Sequence, residues 1–394
     1  MVLSLPLKAR QWCFCLSASL MMSLPANADI ELPSIGSNSA GLISPTAEYE
    51  IGRQALRQYR AYFPQAQDPY FEDYLDRVLD RMVVHAGLPD KPLSLLVIDD
   101  NNLNAFAAPG GIVGVNTGTF LIAQTEQQLV SILAHELAHL SQRHYARRLA
   151  HQKAQAPINW ATMLGSMLIL ASGNSDAGIA AVAAAQAKQI SDRLAFSRDM
   201  EREADRVGLD IMVRSGFNPH AMPEMFEQLL RATRYRAKVP EFLLTHPVTE
   251  NRISDAKSRV QAFPLRHYDS DENFQILKAR AILRHSNSAS FAVKRFTSEL
   301  QGVTLSRLAS RYGLVQALVA SNRAEDALEA YQPLAKDYGH LLAVRVALAD
   351  IHAASNRYDL ALEIIQKELG ATPCLLYTSP SPRDDISSRM PSSA

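Results

Sequence analysis

The stretch that most constrains this chain is "LVSILAHELAHLSQRH", residues 129–144. It is apolar on nearly every side at helical spacing, the pattern of a helix buried all round rather than on one face. Yet His135, Glu136 and His139 sit in its middle. Burying two imidazoles and a carboxylate costs free energy unless each finds a partner, so the surrounding fold must supply one. His135 and His139 are four residues apart and leave the helix on one face, one above the other. Two neutral imidazoles so placed can grip one zinc ion. Glu136, turned about 100° away, stays close enough to take a proton from water activated there. HExxH is the sequence form of this arrangement, and chance produces it in roughly 1% of chains of this size. Metal binding is therefore favoured over two histidines merely bonded to backbone.

Two histidines do not complete a catalytic zinc site; a third protein ligand is needed. The stretch "FSRDMEREADRVGLDIM" (196–212) offers one. On a helical wheel Met200, Ala204, Val207 and Ile211 form the buried stripe, while Glu203, Arg206 and Asp210 lie toward solvent. Glu201 leans inward, about 60° from the stripe's centre. Asp205 stands one turn beyond it on the same side and can accept the ring N–H of a ligand histidine. The competing reading pairs Glu201 and Asp205 with nearby arginines at the surface. His144 lies nine residues past His135, about 13 Å along a continuing helix. That excludes it from the same ion, and it reads as structural.

Around these motifs, residues 46–62 and 69–87 have helical apolar spacing, the second ending at Gly87 as a C-cap. "LSLLVID" (93–99) has the aliphatic density of a strand. In 104–120, Pro109-Gly110-Gly111 marks a turn between two more short strands. An extended peptide could add itself to such a sheet edge through backbone hydrogen bonds, which makes Asn104, Ala105 and Phe106 candidate substrate contacts; a simple interior hairpin is the alternative. Two Ala/Met-rich stretches, 158–171 and 177–187, read as a helical hairpin covering the site, and a separate helix follows over about 192–215.

The chain ends point to export and to a foreign tail. Lys8 and Arg10 precede an apolar run from Trp12 to Leu24, and Ala26-Asn27-Ala28 is a small-x-small cleavage pattern, so residues 1–28 read as a signal peptide cut near Ala28. That run is shorter than the ~20 residues a membrane span requires, so membrane contact is at most peripheral. Lys+Arg and Asp+Glu balance at 40 each, leaving no overall field to recruit nucleic acid. Cys13 and Cys15 lie in the signal segment and Cys374 near the end, so the mature fold has no disulfide to rely on. Residues 374–394 abandon the preceding helical texture and resemble translated sequencing adaptor.

From about residue 270 the texture becomes periodic. Asn287, Asn322 and Asn356 recur at spacings of 35 and 34, each followed five residues later by Ala292, Ala327 and Ala361 and nine later by Phe296, Tyr331 and Ile365. That period, with small residues where paired helices touch, resembles tetratricopeptide repeats.

HExxH followed at a distance by a helical ExxAD, here Glu201 to Asp205, resembles the HtpX/CAAX-protease-like family of zinc metallopeptidases. The resemblance covers residues 29–373 and implies Glu201 as third ligand to one zinc ion. "LLTHPVTENRI" (243–253) resembles a family segment whose loop histidine, here His246, can occupy the metal's open position and hold the enzyme latent. Arg252 either holds that loop or meets a substrate carbonyl. The expected fold is α+β: a mostly helical, zincin-like domain with a small sheet over 29–265, then an α-solenoid of repeats over 266–373. The resemblance further implies a periplasmic metalloendopeptidase with Glu136 and Asp205 in its catalytic machinery. Its implied protein substrates are outer-membrane β-barrel proteins, with the repeats docking on the outer-membrane assembly machinery. A chaperone or adaptor with minor proteolysis, and a non-proteolytic zinc hydrolase, remain the alternatives.

Overall fold

The computed structural model describes residues 43–371 except 89–92, 172–174, 236–239, 269, 303 and 305. The expected signal segment, the tail at 374–394 and all three cysteines lie outside the described residues. Helix α1 (Pro45–Tyr62) opens on Ser44, whose hydroxyl accepts the Ala47 N–H at 3.1 Å, with Pro45 at the first position. Helix α2 (Pro69–Ala86) repeats that arrangement with Asp68 and Pro69 and stops at Gly87, whose φ of 66° lies in the left-handed region.

Three strands follow: β1 (Ser94–Ile98), β2 (Ala105–Ala108) and β3 (Ile112–Asn116), in spatial order β1-β3-β2. The central β3 is buried along its whole length. It runs parallel to β1, with Val97 opposite Val115, and antiparallel to β2, with Phe106 opposite Gly114. Gly114 has a packing reason: a Cβ there would stand 2.3 Å from the Phe106 ring. Among the described strands β2 is left at an edge of the sheet.

After the short α3 (Thr119–Ile122) comes α4 (Glu126–Ser141), started by Thr125, whose hydroxyl accepts the Gln128 N–H at 3.3 Å. Every residue from Glu126 to His139 is buried; the apolar pattern predicts this from Leu129 onward, and the polar Glu126, Gln127 and Gln128 are buried with it. The helix packs on β2, on α6 (Ser175–Arg214) and on α7 (Ala221–Tyr235). It does not continue through residue 144. Gln142 closes it, Arg143 adopts φ 50°, and α5 (His144–Ala171) departs in a new direction. Helices α5 and α6 pack against each other. The separate helix expected from 192 is absent as such, because α6 runs unbroken from 175 to 214; Lys188 to Ser191 contain no Gly or Pro to stop it. On α6 Met200, Ala204 and Ile211 are fully buried and Arg206 and Asp210 exposed, as the wheel expects, whereas Val207 and Glu203 are both half-buried.

Helices α8 (Glu241–Thr245) and α9 (Glu250–Val260) complete the part around α4. Beyond them lie α10 (Glu272–Arg284), α11 (Ala289–Gln301), α12 (Arg307–Ala320), α13 (Ala324–Tyr338), α14 (Leu342–Ala354) and α15 (Tyr358–Ala371). Successive members pack as neighbours from α11 to α15. Helix α10 is buried on two faces. Phe274, Leu277 and Ala281 join the core built on α2, α4, α6 and α7, and Ile276, Ala279 and Ile282 join the core of the later helices. Polar contacts reinforce the junction: Arg280 reaches Asp68 at 2.8 Å and the Tyr312 hydroxyl at 2.7 Å, and Lys278 donates to the Phe120 carbonyl at 3.1 Å and to that of Ala123. Asn322 and Asn356 sit at φ 57° and 59° just past α12 and α14, where asparagine tolerates the left-handed conformation; Asn287 does not share it. Ala292 and Ala327 are fully buried, and Ala361 is half-buried. Among the described residues no helix is long and apolar enough to cross a membrane.

Candidate metal centre

Helix α4 is brought within reach of α6 by a glycine. A Cβ at Gly208 would lie 3.1 Å from both the Ala134 carbonyl oxygen and the His135 nitrogen, so the two backbones meet almost directly. That approach sets Glu201 and Asp205, two turns and one turn before Gly208, against the imidazoles of α4. The loop after α8 delivers His246, and α9 delivers Arg252.

One donor atom each from His135, His139, Glu201 and His246 lies within 4.8 Å of the others. His135 Nε2 stands 3.0 Å from His139 Nε2, 3.3 Å from Glu201 Oε2 and 3.4 Å from His246 Nδ1. Glu201 Oε1 is 3.5 Å from His139 Nε2 and 3.0 Å from His246 Nδ1. Ligands held tetrahedrally at about 2.0–2.1 Å from zinc stand roughly 3.3 Å apart, so this nitrogen-and-oxygen set has the right size and chemistry for such an ion. All four side chains are buried or nearly so.

The electrostatics ask for positive charge at the centre. Burial would raise the Glu201 carboxyl, but hydrogen bonds to His135 and His246 outweigh it and hold the group well below the usual carboxylate range. Burial works against a charged His135, yet its bonds to Asp205 and Glu201 push it up to about 10. His139 is held well below an ordinary imidazole by burial and by neighbouring His135. An ionised carboxylate beside a neutral imidazole, with a proton drawn onto His135, is a cluster that a cation satisfies.

Glu136 stands beside the set. Burial pushes its carboxyl up. One of its oxygens accepts no hydrogen bond from the described residues and lies 3.7 Å from His246 Nε2, while the Ala107 backbone N–H donates to the carboxylate. Asp205 backs His135, with Oδ1 3.0 Å from Nδ1, and holds Arg252 through two bonds of 2.6 and 2.7 Å. Arg252 also donates to the Pro247 carbonyl at 2.8 Å and lies 3.2 Å from Glu201.

The other candidate site residues have these surroundings. Arg252 is buried, with its guanidinium bonded to Asp205 and to the Pro247 carbonyl of the loop that carries His246. The Asn104 carbonyl is occupied by Asn116 N–H and the Thr119 hydroxyl, and the Ala105 side chain is fully buried. Phe106 turns to Tyr59 and Phe63, ring centroids 5.3 and 6.4 Å away. The edge residue that touches Glu136 is Ala107, for which the sequence carries no signal beyond its strand. Sequence reasoning also missed the place of His144, which is 1% exposed with Nδ1 2.8 Å from His139 Nδ1. The straight-helix distance fails because Arg143 turns the chain back.

A family model described as peptidase family M48 matches residues 69–260, spanning α2 to α9. A beta-barrel assembly-enhancing protease of Escherichia coli is 33% identical over 361 residues, 89% of this chain and 73% of its own length. The chain belongs to peptidase family M48. A Vibrio cholerae relative is 36% identical over 274 residues, 70% of this chain and 56% of its own length. The mitochondrial metalloendopeptidase OMA1 of Schizosaccharomyces pombe is 31% identical over 214 residues, 54% of this chain and 60% of its own. The match thus spans little more than half the length of some M48 relatives. All the residues of the cluster lie inside the segment that the M48 model matches.

Proposed function

We propose that this M48 peptidase is an exported zinc metalloendopeptidase of the periplasm, acting in quality control of outer-membrane β-barrel proteins. In this reading residues 1–28 are the export signal, 29–265 the peptidase domain and 266–373 a solenoid of tetratricopeptide repeats that docks clients or the assembly machinery. His135, His139 and Glu201 hold a single zinc ion. The observation that carries the reading is the place of Glu136: a buried oxygen that accepts no hydrogen bond from the described residues, beside three convergent ligand atoms, with the same carboxylate bonded to the edge strand at Ala107.

When bound, zinc supplies Lewis acidity to water and to a peptide carbonyl. The chain's own residues do the rest. Glu136 takes a proton from the attacking water and passes it to the leaving amine, and its raised carboxyl suits that exchange. The free edge of β2 aligns an extended peptide beside Glu136. Asp205 fixes the His135 ring, and Arg252 ties Asp205 to the Pro247 loop. The periplasmic and β-barrel parts rest on the expected export signal and on the name of the E. coli relative.

A second reading, a chaperone or adaptor whose peptidase is latent, is favoured by His246. Its Nδ1 sits among the ligand atoms, and its Nε2 faces the Glu136 oxygen that would serve as base. The test compares wild type, Glu136→Gln and His246→Ala for zinc content and casein cleavage. Stoichiometric zinc in all three is expected, with cleavage lost in the first variant and raised in the second. A wild type without zinc, or Glu136→Gln cleaving as well as wild type, defeats the peptidase reading. Full rescue of a deletion strain's envelope defects by Glu136→Gln favours the chaperone.

A further inference from the structure

The two ligand imidazoles are backed by different chemistry. His135 has the Asp205 carboxylate behind it, whereas behind His139 stands a third imidazole. His139 Nε2 faces the donor set, and its Nδ1 lies 2.8 Å from His144 Nδ1. His144 Nε2 in turn lies 3.2 Å from Glu203 Oε2, which also accepts from Arg147 Nη1 at 2.7 Å. The chain of contacts thus runs from the metal centre through a fully buried ring to a carboxylate whose side chain is 35% exposed.

We propose that His144 is a positioning residue of the metal centre, accepting the Nδ1–H of His139 and so fixing that ligand's tautomer and ring plane. This rests on the reading of His139 as a zinc ligand. Proton placement then follows in one direction. A ring nitrogen that ligates carries no hydrogen, so neutral His139 bound through Nε2 bears its proton on Nδ1. His144 accepts there only with its own proton on Nε2, where Glu203 is in place to receive it. Arg147 neutralises Glu203 and holds the outer end. Arg143 makes this possible by breaking the helix, since a ring nine residues past His135 on a straight helix would sit about 13 Å away along the axis. Because the backing is neutral, His144 orients its ligand without the added basicity that Asp205 lends to His135.

The experiment measures zinc dissociation constants of the full chain by competition with a chromophoric chelator, beside melting temperatures of the zinc-free protein. His144→Phe keeps ring volume but offers no acceptor; His144→Asn sets an amide oxygen near the position of Nδ1 and leaves a cavity. The expected result is a loss of roughly 10- to 100-fold in zinc affinity for His144→Phe, with His144→Asn recovering most of it although it melts lower. Unchanged affinity in His144→Phe overturns the proposal. So do affinities that simply follow the melting temperatures, the outcome of a packing role. Should His144→Phe fail to fold, Glu203→Ala tests the outer anchor on a partly exposed side chain, and wild-type zinc affinity there overturns the proposal. A wild type that binds no zinc defeats the metal reading itself, which is a distinct result.

Discussion

Asp205 Oδ1 lies 3.0 Å from His135 Nδ1, and that same oxygen lies 2.6 Å from Arg252 Nη2. One carboxylate therefore pairs with a ring of the candidate metal centre and neutralises a buried guanidinium. Both partners hold the Asp205 carboxyl below its ordinary range against the opposing effect of burial. Asp205→Ala leaves Arg252, 6% exposed, without its bidentate partner. A loss of about 3 kcal/mol in zinc-free stability is expected, together with weaker zinc binding. Urea unfolding of the chelator-treated protein reads the first and chelator competition the second. Stability equal to wild type would show that Glu201 and the Pro247 carbonyl suffice for Arg252.

Gly208 sets the distance between α4 and α6. Its neighbours are backbone atoms of Ala134 and His135, which cannot swing aside as a side chain can. Gly208→Val is expected to cost about 1–3 kcal/mol through overpacking. It should also weaken zinc binding, because the displaced helix carries Glu201. Paired melting curves with and without added zinc test this, and a zinc-induced stabilisation equal to that of wild type would separate the helix crossing from the site.

Lys278 gives the junction with α10 a pH dependence. Burial pulls its ammonium down to about 8, against an unfolded value of about 10.4. Between these values the unfolded chain binds the proton that the folded chain has released, so stability from this group rises with pH across about 8 to 10.4 and stays flat below. The span corresponds to an order of 3 kcal/mol. Denaturant midpoints of wild type and Lys278→Met measured from pH 7 to 10.5 should diverge in slope across that window. Parallel curves would count against the burial that lowers it.

Much of the fold could be read in advance because the signals are local. Ser44-Pro45 and Asp68-Pro69 are helix starts, Gly87 a helix stop, and the Pro109-Gly110-Gly111 turn joins β2 to β3. The wheel on α6 picked out Glu201 and Asp205 because a buried stripe of Met200, Ala204 and Ile211 defines which carboxylates lean inward. Helix α6 runs on through a change of sequence texture because Lys188 to Ser191 hold no Gly or Pro to stop it. Ala107 carries no distinguishing side chain, so its N–H at Glu136 had no trace in the residue pattern.

Helical periodicity by itself determined that His135 and His139 share a face, that Glu136 flanks them and that a buried acidic partner had to come from elsewhere in the chain. It could do so because side-chain direction along one helix depends on residue spacing alone. Only the tertiary structure decided that His246 joins the ligand atoms, that Arg252 turns to Asp205 and Pro247, and that His144 returns to His139. These depend on where a loop or a single left-handed residue sends the chain, and such closures bring together atoms that no local period connects.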